Sequence, residues 1–128
     1  MISNTMKIDY GLKFYREIFA LESLHFGWWT NGVEPNIENL KKAQENYIEF
    51  IMNWIPRGVK KVLDVGCGTG SVALKLSNSG YDVSCLSPDS YQQKIFLEKT
   101  KGAIPFYHTK FEDLKVTDKY DLILMCES

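Results

Sequence analysis

The sequence predicts an α/β fold, an open parallel sheet with helices on both faces, and three observations predict it. Short apolar runs at Lys61–Val65, Asp82–Leu86, Ile104–His108 and Tyr120–Cys126 alternate with helical patterns, the arrangement that parallel strands require. The first run lies in VLDVGCGTG, Val62–Gly70, where an acidic strand tip precedes three glycines spaced two apart. Such a turn presents a strand end and a helix start to a nucleoside ligand. The last run, YDLILMC, is continuously apolar after Asp121, as suits a strand covered on both faces.

The elements follow in order. Leu12–Leu24 has mixed helical periodicity, and LHFGWWTNGVEPN breaks it with glycines, an Asn-Gly and a proline. From Asn36, apolar residues Ile37, Leu40, Tyr47, Ile48, Ile51 and Ile55 recur at helical spacing until Pro56 and Gly58 stop the helix. The strand Lys61–Val65 leads into the glycine turn, Val72–Leu76 reads as a helix closing near Gly80, and Asp82–Leu86 as the second strand. Asp89–Lys101 reads as a third helix with Pro88 at its mouth. Pro105 cannot donate to a ladder, so the strand Ile104–His108 belongs on a sheet edge. The spacing shows no repeat, low-complexity segment or interdomain linker.

Composition bounds the function. A chain of 128 residues with 45% hydrophobic content can bury one core, and a formal charge of −1 does not call for nucleic acid. Cys67, Cys85 and Cys126 lie far apart with no C-x-x-C pair and read as buried thiols of a reducing compartment. MISNTMKIDYG holds no apolar stretch of signal-peptide length and no run approaches a membrane span, so a cytoplasmic chain is expected. No His/Cys/Asp cluster has metal-ligand spacing, and no nucleophile elbow is present. No metal is expected, and no catalytic residue is assigned.

Glycine at 66, 68 and 70 lets backbone approach a ligand closely, and the following helix start offers free N–H groups to a carboxylate. Ser71 stands where a dinucleotide-binding G-x-G-x-x-G needs its third glycine, which disfavours NAD. A structural glycine turn in another α/β protein is the plain alternative. VLDVGCGTG resembles motif I of the class I S-adenosylmethionine-dependent methyltransferases, whose sheet is Rossmann-like. The resemblance implies S-adenosylmethionine as cofactor, with Asp64 opposite its ammonium and Gly66, Cys67, Gly68 and Gly70 around its methionine part.

Further segments are similar to the branch that holds cyclopropane fatty acid synthases and sterol or small-amine methyltransferases. SPDSYQQ is similar to that branch's T-L-S-x-x-Q, which implies that Ser87 and Gln92, beside Pro88, meet the ribose hydroxyls. Ser87 could instead cap the helix, unless Asp89 does so. Lys110-Phe111-Glu112 looks like the branch's glycine-tryptophan-glutamate, implying that Phe111 stacks on adenine and Glu112 reaches its edge; plain core packing is the alternative for Phe111, and a solvated position that for Glu112. LHFGWWTNGVEPNIENLKKAQ is similar to the H-Y-G-Y-W…L-x-x-A-Q stretch before motif I, a lid over the cofactor. His25, Gly27, Trp28, Trp29, Ala43 and Gln44 carry that match. Of the two tryptophans Trp29 is the favoured contact to the sulfonium, and packing onto the sheet is the alternative for both. His25 reads as a hydrogen-bonded structural histidine rather than a base, and His108 has a weaker case still.

The resemblance implies methyl transfer to a small-molecule or lipid acceptor. It divides the chain into residues 1–57, a helical lid, and residues 58–128, the first half of the S-adenosylmethionine-binding domain. The family's sheet has seven strands, whereas only Glu127 and Ser128 follow the fourth here. A truncated chain, or one completed by a second copy or partner along the fourth-strand edge, is therefore expected. Cys126 and Glu127, at that strand's tip, are placed at the methionine or acceptor pocket by topology. The alternative function is a non-catalytic S-adenosylmethionine-binding or assembly module.

Overall fold

A computed structural model describes residues 8–126. The order is α1 (Tyr10–Phe19), α2 (Ile37–Trp54), β1 (Lys61–Val65), α3 (Ser71–Asn78), β2 (Asp82–Leu86), α4 (Ser90–Thr100), β3 (Phe106–Tyr107), a 3₁₀ turn (Phe111–Asp113) and β4 (Leu122–Leu124). The strands are all parallel and ordered β3-β2-β1-β4, so β1 is central and β3 lies at one edge. The expected bounds of β1 and β2 hold. β3 is shorter than expected because Pro105 adds only its carbonyl, which accepts from the Cys85 amide at 2.9 Å.

Side-chain caps start the helices. Asn36 Oδ1 accepts from the Asn39 amide at 2.8 Å, and Asp89 Oδ1 from the Gln92 amide at 2.7 Å. Asp9 caps α1, which ends sooner than the apolar pattern suggested because Ala20 turns left-handed. α1 buries none of its residues and is held to α4 by polar bonds: Tyr91 Oη donates to Glu17 Oε1 at 3.1 Å, and the Asp9 amide to Asp89 Oδ2 at 2.7 Å.

The alternation of β1 and β2 divides the core. Val62, Val83 and Cys85 pack with Ala73 and Leu76 of α3 and Phe96 of α4, backed by Met52 of α2. Leu63, Val65 and Leu86 pack on the opposite face with Tyr107, Leu114 and Tyr120. That second face is thus covered, among the described residues, by the crossover between β3 and β4, which forms only a 3₁₀ turn. The fourth strand is shorter than Tyr120–Cys126, and Ile123 is 47% exposed rather than covered. β4 pairs with β1 along one edge, and no described strand lies along the other. Asp121 fixes its start: the carboxylate accepts from the Lys60 and Lys61 amides at 3.0 and 2.8 Å, and its own amide donates to the Lys61 carbonyl at 2.8 Å.

Candidate functional site

A cavity of about 290 Å³ opens at the carboxyl end of β1. Its floor is Asp64 and the loop Gly66–Thr69, its sides include Ser71, Val72, Gln92 and Cys126, and its roof is Ser23–Phe26 with Tyr47. Carboxyl ends of parallel strands are where such sheets bind ligands, because loops and helix starts converge there. The loop is tied to β2, since the Gly66 and Cys67 amides both donate to the Leu86 carbonyl, at 2.9 and 3.2 Å.

The glycines divide by role. A β-carbon on Gly68 would meet nothing within 4 Å, so its bare backbone faces open space. A β-carbon on Gly70 would lie 2.6 Å from the Phe96 ring, so that glycine makes room for the core. Gly70 does not line the cavity.

Asp64 is the electrostatic feature of the site. It is 4% exposed, and its Oδ2 has no hydrogen-bond partner among the described residues. Burial pushes its carboxyl up to about 7, since removing the charge from water is costly and no cation among the described residues offsets it. A ligand cation placed against it would restore the charged form. The thiols differ: Cys67 lines the cavity, Cys85 lies beneath it in the core, and Cys126 is half-buried at the rim rather than fully buried as expected. The hydrogen bond with Cys67, reinforced by burial, pushes the Cys85 thiol far up and leaves it protonated.

The roof is fastened from two sides. Gln44 Nε2, within α2, donates to the Ser23 and His25 carbonyls at 3.0 and 2.6 Å, and the Trp28 amide donates to the Ala43 carbonyl at 2.7 Å. Gly27 crosses α2 so closely that a β-carbon would lie 2.5 Å from the Ala43 carbonyl carbon. The His25, Gly27, Ala43 and Gln44 pattern is therefore the fastening of the roof onto α2. On the other side, the Glu22 carbonyl accepts from Thr69 Oγ1, Ser71 Oγ and Lys99 Nζ at 2.7, 2.9 and 3.1 Å. The sequence reading missed Thr69, Ser71 and Lys99, as well as Leu24, Phe26 and Tyr47. The two hydroxyls within the glycine motif were the signal for the first two.

The remaining expected residues lie at varied distances from the cavity. Gln92 lines it, whereas Ser87 lies behind, buried, and donates to Gln92 Oε1 at 3.0 Å. Asp89 caps α4, while Ser87 Oγ also accepts from the Asp89 amide at 3.2 Å. The Pro88 carbonyl accepts from His108 Nε2 at 3.0 Å, outside the cavity wall. Phe111 and Glu112 sit in the exposed 3₁₀ turn and do not line the cavity. Trp28 stacks on Phe50 with centroids 4.5 Å apart, and Trp29 Nε1 donates to the Phe26 carbonyl at 2.9 Å; neither lines the cavity. The His25 ring packs on Tyr47 at 4.6 Å. Glu127 lies outside the described residues. No group of three or more potential metal ligands occurs among the described residues.

The methyltransferase domain family matches residues 62–128, more than half of the chain. The chain belongs to the methyltransferase domain family. The class I assignment read from VLDVGCGTG agrees with that membership and with the four-strand order. The chain is 30% identical over 117 residues to the sarcosine/dimethylglycine N-methyltransferase of Aphanothece halophytica, covering 86% of this chain and 42% of that protein. It is 28% identical over 120 residues to the ubiquinone biosynthesis O-methyltransferase of Rickettsia typhi, covering 88% and 48%. The chain thus spans about half the length of the curated relatives it matches. Among solved structures it resembles a putative sarcosine dimethylglycine methyltransferase from Galdieria sulphuraria, with TM-score 0.70, 24% identity, and 90% and 47% of the two chains covered. Magnesium protoporphyrin IX methyltransferase from Synechocystis PCC 6803 with bound SAM gives TM-score 0.62, 18% identity, and 90% and 55% covered. These two likenesses concern the fold alone. Among the described residues no helix is long and apolar enough to cross a membrane.

Proposed function

We propose that this chain is the cofactor-binding part of an S-adenosylmethionine-dependent methyltransferase acting on a small-molecule or lipid acceptor. The observation that carries the reading is Asp64: a buried carboxylate with an unpartnered oxygen, beside a glycine whose missing side chain leaves open space. The residues fit the cofactor. Asp64 would hold the ammonium of its methionine part, the backbone of Gly66–Gly68 would lie against that part, and Gln92, steadied by Ser87, would reach the ribose hydroxyls. When bound, S-adenosylmethionine supplies a methyl group already activated by its sulfonium. The chain's own residues bind, orient and exclude water: Leu24, Phe26 and Tyr47 roof the site, and Val72 closes a side. No proton-transfer residue is assigned.

Residues 1–57 act as the lid and residues 58–128 as the first half of the binding domain. The acceptor is left as a class, since the relatives carry names for both O- and N-methylation. Three cysteines that form no disulfide fit a reducing compartment such as the cytoplasm. A second reading is a non-catalytic S-adenosylmethionine-binding or assembly module, in which a second copy or partner chain adds a strand beside β4, along which no described strand lies.

Calorimetric titration with S-adenosylhomocysteine and NAD, side by side, tests the cofactor. Saturable binding of the first and none of the second is expected. The reverse, or no binding of S-adenosylhomocysteine, overturns the reading.

A further inference from the structure

We infer that Lys99, which does not line the cavity, is a positioning residue that latches the roof onto the glycine loop. The inference about cofactor retention rests on the proposed function; the latch itself rests on geometry. Lys99 projects from the last turn of α4, 28 residues from Ser71 and 77 from Glu22 in sequence, and its ammonium draws all three segments together. It donates to the Glu22 carbonyl at 3.1 Å and Ser71 Oγ at 3.0 Å, and pairs with Glu22 Oε2 at 3.2 Å. Ser71 Oγ in turn donates to the same Glu22 carbonyl, so helix start, roof and α4 share one polar knot. Three rotatable N–H donors on one long stem suit this task, since a carbonyl, a hydroxyl and a carboxylate must be met at once.

The two halves of the knot are unequal. The Lys99 side chain is 20% exposed, whereas that of Glu22 is 74% exposed. Bonds from a largely dehydrated ammonium to a backbone carbonyl are strong, while the solvent-facing ion pair adds little. Burial lowers the Lys99 pKa, and the Glu22 carboxylate offsets that in part. Leu21 and Ser23, on either side of Glu22, are buried, and Ser23 and Leu24 line the cavity. Losing Lys99 takes the charged donor from the Glu22 carbonyl and leaves the neutral Thr69 and Ser71 hydroxyls on it, which loosens the roof on the side that Gln44 does not hold. Cys67 on the floor then becomes reachable, while Cys85 in the core does not.

Alkylation of the ligand-free chain by iodoacetamide, read at each cysteine by mass spectrometry, tests the latch. Lys99→Met is expected to speed reaction at Cys67 at least about tenfold, with Cys85 unchanged. Glu22→Gln should stay within about twofold of wild type, since it removes only the solvent-facing ion pair and keeps the Lys99 ammonium on the Glu22 carbonyl. Ser71→Ala, which removes one donor and leaves Lys99 in place, should show a smaller rise and be less than additive with Lys99→Met. An unchanged Cys67 rate in both Lys99→Met and Ser71→Ala overturns the proposal, as does a parallel rise at Cys67 and Cys85, which marks general loosening. Faster dissociation of S-adenosylhomocysteine from Lys99→Met is expected in addition. Failure of wild type to bind it, with Cys67 still unmasked, would sink the cofactor reading and leave the latch standing.

Discussion

A β-carbon on Gly70 would lie 2.6 Å from Cδ2 of Phe96, the largest fully buried side chain of the core. Gly70→Ala therefore forces the ring aside and places a side chain at φ +92°, a conformation that L residues rarely adopt. A loss of about 2–4 kcal/mol in urea unfolding is expected. Gly68→Val also puts a side chain at a left-handed φ, +57°, but its β-carbon meets nothing within 4 Å, so it should cost less stability than the ring clash at Gly70, keep a folded core and lose S-adenosylhomocysteine binding, as calorimetry can check. An equal loss of stability from the two substitutions would contradict this division.

Asp64 ties stability to pH. Its carboxyl titrates near 7 in the folded chain against 3.8 ordinarily. Below 3.8 the group is neutral in both states and costs nothing; between 3.8 and about 7 the unfolded chain ionises while the folded one keeps its proton, and stability falls. Above about 7 the full cost stands, about 4 kcal/mol at about 1.4 kcal/mol per tenfold change in proton affinity. Asp64→Asn should flatten this profile in chemical denaturation and be the more stable chain above about pH 7. Affinity for S-adenosylhomocysteine should rise as pH passes through about 7 in wild type, and that rise should vanish in the variant.

Asp121 has the opposite dependence. The Lys61 amide, then that of Lys60, holds its carboxyl below the usual range, so its contribution is present above the ordinary carboxylate pKa and is lost as pH falls through the lower folded value. Asp121→Ala should speed hydrogen exchange at the Lys60 and Lys61 amides at neutral pH. The difference from wild type should disappear in acid.

Gln44→Glu replaces the amide donor that holds the Ser23 and His25 carbonyls with an acceptor. Two partly or fully buried carbonyls lose their partner, a cost of about 2–4 kcal/mol. Hydrogen exchange at the Trp28 amide, which bonds to Ala43 in the same crossing, should accelerate beyond that of the β1 amides.

Much of this architecture could be read from residues whose local chemistry admits few alternatives. The strands Lys61–Val65 and Asp82–Leu86 are short, mainly apolar runs between turn signals, and Asn36 and Asp89 carry the short acceptors that cap helices. Pro105 placed β3 at an edge. The bounds of β4 were less legible, because an apolar run states that a segment can be covered and not what covers it. Within the site, Asp64, Gly68 and Gln92, each singled out from the pattern, line the cavity. Gly70 looked the same as its neighbours because only the fold brings Phe96 against it. Lys99 and Glu22 are 77 residues apart, and no local pattern marks a contact of that span.

A crystal structure of the chain with S-adenosylhomocysteine tests the central claim most directly. The account predicts the amino group of the ligand at Asp64, its amino-acid part along the bare backbone of Gly68, and Gln92 at the ribose. Ligand bound elsewhere, with Asp64 facing no positive charge, would contradict it.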